Sequence, residues 1–201
     1  MKILVIGATG TIGKKVMEAL EQNNHEVVSA GHKEGDVTVD LGSKDSIGAM
    51  FQQVGQVDAV ISTAGVASFA ALEDLGDSDF ELALNNKLMG QVNLVRLGAD
   101  HVSAGGSITL TSGMLAQNPM PGSSVISMAN GGLESFAKAA ALELGAKVRV
   151  NVVSPVFVKE TMEMMGMDSA QGLSATDTAK AYVAAIETDQ SGQVLDVTDY
   201  Q

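Results

Sequence analysis

Apolar residues recur along the chain with two different spacings, and these spacings divide it into predicted strands and predicted helices. Short apolar runs that end at turn-forming residues predict buried strands. These runs occupy residues 3–6, 26–30, 37–40, 57–61, 107–111, 148–153 and 194–197. Apolar positions at the helical repeat predict amphipathic helices. They occupy residues 14–20, 43–54, 78–102 with a break around Gly90, 122–144 and 176–187.

Strands and helices alternate to the end of the chain, without an internal repeat, a low-complexity tract or a linker. This alternation favours an α/β fold with a doubly wound parallel sheet. Ligands of such sheets bind beyond the carboxyl ends of the strands, so the residues that follow each predicted strand are candidate site residues. With 201 residues, the chain is expected to form a single domain over residues 1–201.

The first strand ends in a glycine-rich turn, Gly7-Ala8-Thr9-Gly10-Thr11-Ile12-Gly13, and an amphipathic helix follows. Gly7 allows a sharp turn, Gly10 allows the backbone to approach a ligand, and Gly13 allows close packing of helix on strand. The free N–H groups at the start of the helix then favour an anion such as pyrophosphate. A strand, this turn and a helix together predict dinucleotide binding; the alternative is a turn with a structural role alone.

Composition narrows the range of partners. The chain has 12 Lys and Arg against 24 Asp and Glu, a net charge of −12. Because phosphate contacts need clustered cations, this charge argues against nucleic acid and anionic membranes, and a small molecule is the expected ligand. The absence of cysteine excludes disulfides and thiolate chemistry, and the three histidines lack metal-ligand spacing, so no metal is expected. No signal peptide precedes the first strand, which favours the cytoplasm.

Six segments of the sequence occur in an order typical of one family. They read GATGTIG at 7–13, VDL at 39–41, STAG at 62–65, GSITLTSG at 106–113, LESFAKAAALEL at 133–144 and VRVNVVSP at 148–155. In these segments the chain resembles the short-chain dehydrogenase/reductase family over nearly its whole length. The resemblance implies a three-layer Rossmann fold with about seven parallel strands, a nicotinamide cofactor, oxidoreductase activity on a small carbonyl or alcohol, and a homodimer or homotetramer.

By this resemblance, residues at the carboxyl ends of the strands would hold the dinucleotide. The pyrophosphate and the adjacent ribose would lie against the glycine turn, and the nicotinamide-side ribose near Ala64 and Gly65. Asp40 would face the adenine amino group, or it would simply cap the end of its strand. The expected cofactor residues are Gly7, Thr9, Gly10, Thr11, Ile12, Gly13, His32, Lys33, Asp40, Leu41, Ala64, Gly65, Thr111 and Pro155.

The end of the second strand bears on the choice between NADP and NAD. An Asp or Glu there would hold the 2′-hydroxyl of NAD, whereas a cation would bind the 2′-phosphate of NADP. The segment reads Ala30-Gly31-His32-Lys33, and the first acid is Glu34. His32 and Lys33 therefore favour NADP(H), although a solvated surface turn would have the same composition.

The family's active site uses a Tyr, a Lys four residues later, a Ser and an Asn, and this chain departs from that pattern. The Tyr and Lys positions fall on Ile126 and Asn130, and the Asn position falls on Lys87. The Ser position falls on Gly113, with Ser112 one residue earlier. Neither tyrosine, Tyr182 or Tyr200, has a lysine four residues later.

Two explanations remain open. In the first, the protein is an enzyme with a rearranged site, in which Lys87, Ser112 or Asn130 polarises the substrate; a desolvated lysine can act as acid or base. In the second, it is a catalytically silent NADPH-binding regulator or partner subunit. A structural interaction protein is a third class, since a fold alone does not determine function. The methionine-rich segment 156–167 lies where the family places its substrate lid, and packing alone is an equal explanation.

Overall fold

A computed structural model describes residues 1–170 and 172–201 of the chain. Across these residues, seven parallel strands form one sheet in the order β3-β2-β1-β4-β5-β6-β7. The strands are β1 (Lys2–Ile6), β2 (Glu26–Gly31), β3 (Val37–Thr38), β4 (Val57–Ser62), β5 (Val102–Thr111), β6 (Val148–Ser154) and β7 (Val194–Asp196). The predicted doubly wound parallel sheet is therefore confirmed.

Helices cover both faces of this sheet, which gives the three layers of a Rossmann fold. The α-helices are α1 (Thr11–Gln22), α2 (Lys44–Val54), α3 (Asp77–Leu82), α4 (Met89–Gly98), α5 (Ser124–Leu144), α6 (Lys159–Met164) and α7 (Ala175–Glu187). Because side chains alternate along a strand, Ile3 and Val5 pack towards α1 and α7, whereas Leu4 and Ile6 pack towards α2, α4 and α5. Two large apolar cores result, one on each face, and Ala83, Val125 and Ala129 form a third, smaller cluster.

The single long helix predicted over residues 78–102 is divided in the structure. A π-helical segment, Ala83–Leu88, joins α3 to α4, and the helix ends at Gly98. Gly90 does not break the helix; a Cβ there would lie 2.8 Å from the Leu41 carbonyl oxygen, so Gly90 allows close packing on the loop after β3. Val102, predicted to end the helix, instead begins β5 and pairs with Val57.

Two other strand boundaries also differ from the prediction. The third strand ends at Thr38, so Asp40 lies in the loop that follows, where its carboxylate Oδ1 accepts the N–H of Gly42 at 2.9 Å. That hydrogen bond forms a local turn and explains why the chain leaves the sheet early. The last strand ends at Asp196, because Val197 begins a 3₁₀ turn.

The strand order determines where a ligand can bind. From β1 the chain runs outwards to β2 and β3, and then returns to place β4 on the other side of β1. The connections of β1 and β4 therefore leave the sheet in opposite directions, and a crevice opens at their carboxyl ends. Gly7 and Thr63 follow these two strands directly.

Candidate functional site

The turn after β1 requires glycine at its first position. Gly7 has a φ of +82°, a left-handed conformation that other residues rarely adopt. A Cβ at Gly7 would also lie 2.7 Å from Thr63 Oγ1, the side chain that follows β4. The Gly7 carbonyl accepts the N–H of Gly10 at 3.0 Å and so closes the turn. The Thr63 hydroxyl donates to the carbonyl oxygens of Ile6 and Gly7 and so joins the ends of the two central strands.

The start of α1 packs directly on this turn. A Cβ at Gly13 would lie 2.0 Å from the Gly7 carbonyl oxygen, which no real contact allows. Gly10 precedes the helix and offers no side-chain cap, and the first turn of α1 contains no acidic residue. The first N–H groups of α1 therefore have no intrahelical or side-chain acceptor. Such a helix start fits the pyrophosphate of a dinucleotide.

A cleft of about 370 Å³, called here the dinucleotide cleft, opens beside this turn. It lies at the carboxyl ends of β1, β2 and β4, as the sequence predicts. Its lining contains six of the expected cofactor residues and five others, and the full set is Ile6, Gly7, Gly31, His32, Val39, Asp40, Leu41, Ala64, Gly65, Val66 and Asn86. Thr9, Gly10 and Thr11 lie in the turn and at the start of α1, outside this lining.

The two predicted phosphate ligands differ in position. His32 follows the end of β2 and lines the dinucleotide cleft. Lys33 is its exposed neighbour and does not line the cleft in this conformation. At the other end of the cleft, the Asn86 Oδ1 accepts the N–H of Val66 at 3.0 Å and holds the loop after β4.

A second hollow of about 320 Å³, called here the reaction cavity, lies at the carboxyl ends of β5 and β6. Gly65 lines both spaces, so the dinucleotide cleft and the reaction cavity meet there. The reaction cavity brings together residues predicted from distant parts of the chain: Ile12, Lys87, Thr111, Ser112, Ile126, Asn130 and Pro155. Its remaining wall is largely apolar and includes Met114, Leu115, Val156, Phe157 and Val158.

Lys87 is a buried lysine on the wall of the reaction cavity. Its exposed fraction is 7%, and its Nζ donates to the Ser112 carbonyl oxygen at a long 3.4 Å. A Cβ built at Gly65 would lie 3.1 Å from the Lys87 Cγ, so the side chain packs across the point where the two spaces meet. Burial lowers the pKa of Lys87 to about 8, because a desolvated ammonium is disfavoured.

Ser112 reaches the same cavity, but its hydroxyl proton is directed away from it. Ser112 Oγ donates to the Glu134 carboxylate at 2.9 Å, and the Gln117 side-chain amide donates to the other oxygen of that carboxylate. Burial raises the pKa of Glu134, and the Ser112 hydrogen bond opposes that shift. Glu134 therefore holds Ser112 and the segment up to Gln117 against α5.

Asn130 projects into the cavity from α5 with an unpartnered acceptor. Its Nδ2 donates to the Gly113 carbonyl oxygen at 3.4 Å, and a Cβ at Gly113 would lie 3.0 Å from that Nδ2. The Asn130 Oδ1 is buried and has no hydrogen-bond partner among the described residues. A buried acceptor without a donor costs free energy.

Thr111 lines the base of the cavity, and hydrogen bonds to neighbouring elements hold it in place. Gln91 brackets its backbone, accepting the Thr111 N–H at 2.8 Å and donating to its carbonyl at 2.9 Å. The Thr111 Oγ1 donates to the Ser62 carbonyl and is 2.7 Å from the Tyr182 hydroxyl. Tyr182 is fully buried beneath the sheet, which raises the pKa of its phenol, and it does not line the cavity.

Gln91 and Glu134 were not predicted as site residues, although their spacing from predicted site residues indicates both. Each follows a candidate site residue by four positions on the same helix: Gln91 follows Lys87, and Glu134 follows Asn130. Side chains four residues apart lie on one helical face, so both were placed next to the site. The missed Asn86 precedes Lys87 in the π-helical segment, whose geometry the periodicity does not show.

No helix in the described ranges 1–170 and 172–201 is long and apolar enough to cross a membrane. The same ranges contain no cluster of His, Asp and Glu that could hold a metal ion.

Comparison with known proteins identifies the family. A family model described as enoyl-(acyl carrier protein) reductase matches residues 4–195. The chain belongs to the short-chain dehydrogenase/reductase family. Protein lin1944 from Listeria innocua is 40% identical, with a TM-score of 0.93 over 98% of this chain and 99% of that one. A small-chain dehydrogenase in complex with NADPH is 30% identical, with a TM-score of 0.87 over 98% of this chain and 95% of that one.

Curated relatives of this short-chain dehydrogenase/reductase are oxidoreductases. An uncharacterized oxidoreductase from Methylorubrum extorquens is 28% identical over 96% of this chain and 86% of its own length. A versicolorin reductase from Emericella nidulans is 30% identical over 77% of this chain and 64% of its own length. The chain spans about half to two thirds of the length of such fungal reductases. The relatives support a redox reaction and leave its substrate open.

Proposed function

We propose that this protein is an NADP(H)-dependent oxidoreductase that interconverts a small carbonyl compound and the corresponding alcohol. The observation that carries the proposal is the junction at Gly65, where a dinucleotide cleft opens into an apolar cavity with a buried lysine on its wall. A cofactor bound along the cleft would place its reactive end at this junction. The cavity beyond it has the size of a small-molecule site.

The residues present fit a dinucleotide. Glycine at positions 7 and 13 lets the start of α1 pack directly on the turn after β1, and this helix start supplies N–H donors. The adenosine half would lie between His32, Asp40 and Leu41, and the nicotinamide half near Gly65. Thr9, Gly10, Thr11, Ile12, Ala64, Thr111 and Pro155 complete the proposed set. The expected homodimer or homotetramer and the single domain over residues 1–201 remain predictions.

When bound, a reduced nicotinamide supplies a hydride, so this chain's residues need only bind, orient and handle a proton. The apolar residues of the reaction cavity would exclude water from the reacting carbonyl. Lys87, Ser112 and Asn130 are the proposed polar groups at this end of the site. We also propose that Ile126 and Asn130 stand at the positions of the family's Tyr and Lys.

The preference for NADP(H) over NAD(H) rests on charge. The strand β2 ends without an acid that could hold a 2′-hydroxyl, and His32 faces the cleft with Lys33 beside it. A dehydrogenase 30% identical to this chain binds NADPH, which supports the same preference here. Lys33 would reach a 2′-phosphate by a change of side-chain rotamer, because it is exposed and has a long, flexible side chain.

Titration with NADPH and NADH tests this preference directly. We expect tighter binding of NADPH, and we expect Lys33→Ala to weaken NADPH binding about fivefold, the value of an exposed ion pair near 1 kcal/mol. NADH binding should not change, and Lys44→Ala, at an exposed lysine on α2, should change neither. Equal affinity of the wild type for the two cofactors would refute the preference.

Turnover distinguishes the enzyme from a silent cofactor-binding protein. Ile126 lines the reaction cavity and cannot transfer a proton, which is the observation that favours a silent regulator or partner subunit. A panel of small aldehydes and ketones, followed by the absorbance of NADPH, separates the two functions. Consumption of NADPH that depends on the carbonyl compound supports the enzyme; tight NADPH binding without consumption supports the regulator. Failure to bind either cofactor would overturn both.

A further inference from the structure

Lys87 is a buried lysine whose positive charge does not contribute to the stability of the fold. No carboxylate among the described residues lies within ion-pair distance of it, and burial is the only cause of its shifted pKa. Its one hydrogen bond, to the Ser112 carbonyl, is long at 3.4 Å. At least two of the three ammonium protons therefore have no acceptor in the described part of the chain. An unpaired buried charge destabilises a fold, so a ligand is the simplest reason for its presence.

Two acidic side chains on the surrounding helices, Glu134 and Asp79, are hydrogen-bonded to other groups. On α5, Glu134 is bound by Ser112 and Gln117. On α3, Asp79 accepts from Ser68 and from the Gly76 N–H.

Two further ionisable groups on neighbouring helices also have partners of their own. On α4, Arg96 donates to the Asn93 side chain, and on α7 Tyr182 is bound to Thr111. Lys87 is thus the ionisable side chain that faces the reaction cavity in the described structure.

We propose that the Lys87 ammonium is the proton donor of the reaction: it protonates the substrate carbonyl oxygen during reduction, and the neutral amine takes that proton back during oxidation. This inference rests on the proposed function. In reduction the carbonyl carbon gains a hydride from the reduced nicotinamide cofactor and its π bond to oxygen breaks. The oxygen gains the proton from the Lys87 Nζ, and the amine regains a proton from water. The products are an alcohol and an oxidised cofactor.

The geometry suits this role. The Lys87 Cγ packs against Gly65, where the dinucleotide cleft enters the reaction cavity, and the Nζ lies 3.4 Å from the carbonyl oxygen of Ser112 on the cavity wall. Its pKa of about 8 lies close to neutral pH, which favours proton transfer in both directions. Asn130 lies on the same cavity wall and adds a polar side chain there.

Lys87→Met tests the proposal, because methionine keeps an unbranched side chain and removes the proton. We expect kcat for reduction to fall about 10²- to 10⁴-fold, the usual contribution of a general acid. Affinity for NADPH, measured by fluorescence, should change less than about threefold. The Tm should rise by at least about 2 °C, because the variant removes a desolvated charge. Lys44→Met, at an exposed lysine on α2, is the matched control and should change none of these.

A pH series supplies a readout that a structural lysine would not move. In the wild type, kcat for reduction should fall above about pH 8, and oxidation should rise there. Lys87→Arg keeps the charge but should lose this pH limb together with most of kcat, since arginine stays protonated and is a poor proton donor. Reductive methylation followed by mass spectrometry reports the amine itself. Lys87 should react half-maximally near pH 8, and bound NADPH should protect it.

The outcomes separate this inference from the proposed function. A wild type that binds NADPH and reduces no carbonyl compound refutes the proposed enzyme and the proton transfer that depends on it. A wild type that turns over while Lys87→Met keeps its kcat and pH profile refutes the role of Lys87 alone. A fall in Tm for Lys87→Met, with methylation only near pH 10, also overturns the proposal and makes Lys87 a structural residue.

Discussion

Gly13→Ala tests the close approach of α1 to the turn after β1. The added methyl group would lie 2.0 Å from the Gly7 carbonyl oxygen and 2.9 Å from Ala8 Cα, both of them backbone atoms. No side chain can rotate away to relieve these contacts, so the helix and the strand end must separate by about 1 Å. The same movement would widen the glycine turn proposed to hold pyrophosphate.

The magnitude follows from two opposing effects. Overpacking of a well-packed region costs about 1–3 kcal/mol, and replacing a helical glycine by alanine recovers about 1 kcal/mol. Gly48, inside α2, has no atom within 4 Å of the position of a Cβ, so Gly48→Ala shows the helical gain alone. The two variants should therefore differ by about 1–3 kcal/mol, which is about 2–12 °C in Tm for a chain of this size.

Thermal denaturation followed by circular dichroism measures this difference. We expect Gly48→Ala to melt at or above the wild type and Gly13→Ala to melt below Gly48→Ala. NADPH titration should show weaker binding for Gly13→Ala and unchanged binding for Gly48→Ala. Equal increases in Tm for both variants would show that α1 does not contact Gly7 as described, and the reasoning on the glycine turn would fail with it.

Two further substitutions probe the support of the reaction cavity. Burial raises the pKa of Glu134 above its usual 4.5, so the folded protein holds that proton more tightly than the unfolded chain and stability falls as pH rises through this window. Urea denaturation across pH should show a weaker fall for Glu134→Gln; parallel curves would contradict the assignment. Thr111→Val should cost about 1–3 kcal/mol, because it leaves the Tyr182 hydroxyl and the Ser62 carbonyl without their partner. In a double-mutant cycle with Tyr182→Phe the losses should be less than additive, and strict additivity would show that the two side chains do not interact.

The lysine of this site lies on a different helical segment from the lysine of the family's motif. Asn130 and Lys87, the residues that we propose for the Lys and Asn positions of the family's motif, line one cavity. The lysine therefore approaches the site from the segment before α4 instead of from α5. In our proposal Ile126 stands at the tyrosine position, and Lys87 is then the group that exchanges a proton near neutral pH.

The sequence alone predicted most of the fold, and six of the residues proposed from it for the cofactor line one cleft in the structure. Hydrophobic period and turn residues are local properties, so they located the strands, the doubly wound sheet and the glycine turn at Gly7. Boundaries failed where tertiary contacts compete with local preference. Asp40 left the sheet to bind the Gly42 N–H, and the π-helical segment Ala83–Leu88 formed where periodicity predicted a regular helix.

Only the tertiary structure determined the burial, the hydrogen-bond partners and the protonation of the side chains in the site. The sequence named Lys87, Ser112 and Asn130 as candidates, but burial and partners depend on residues that are distant along the chain. Packing across Gly65 desolvates the Lys87 ammonium, and Glu134 turns the Ser112 proton away from the cavity. These effects arise from charges and dipoles brought together by folding, which is why a residue pattern can propose the members of a site while their protonation and orientation follow from the fold.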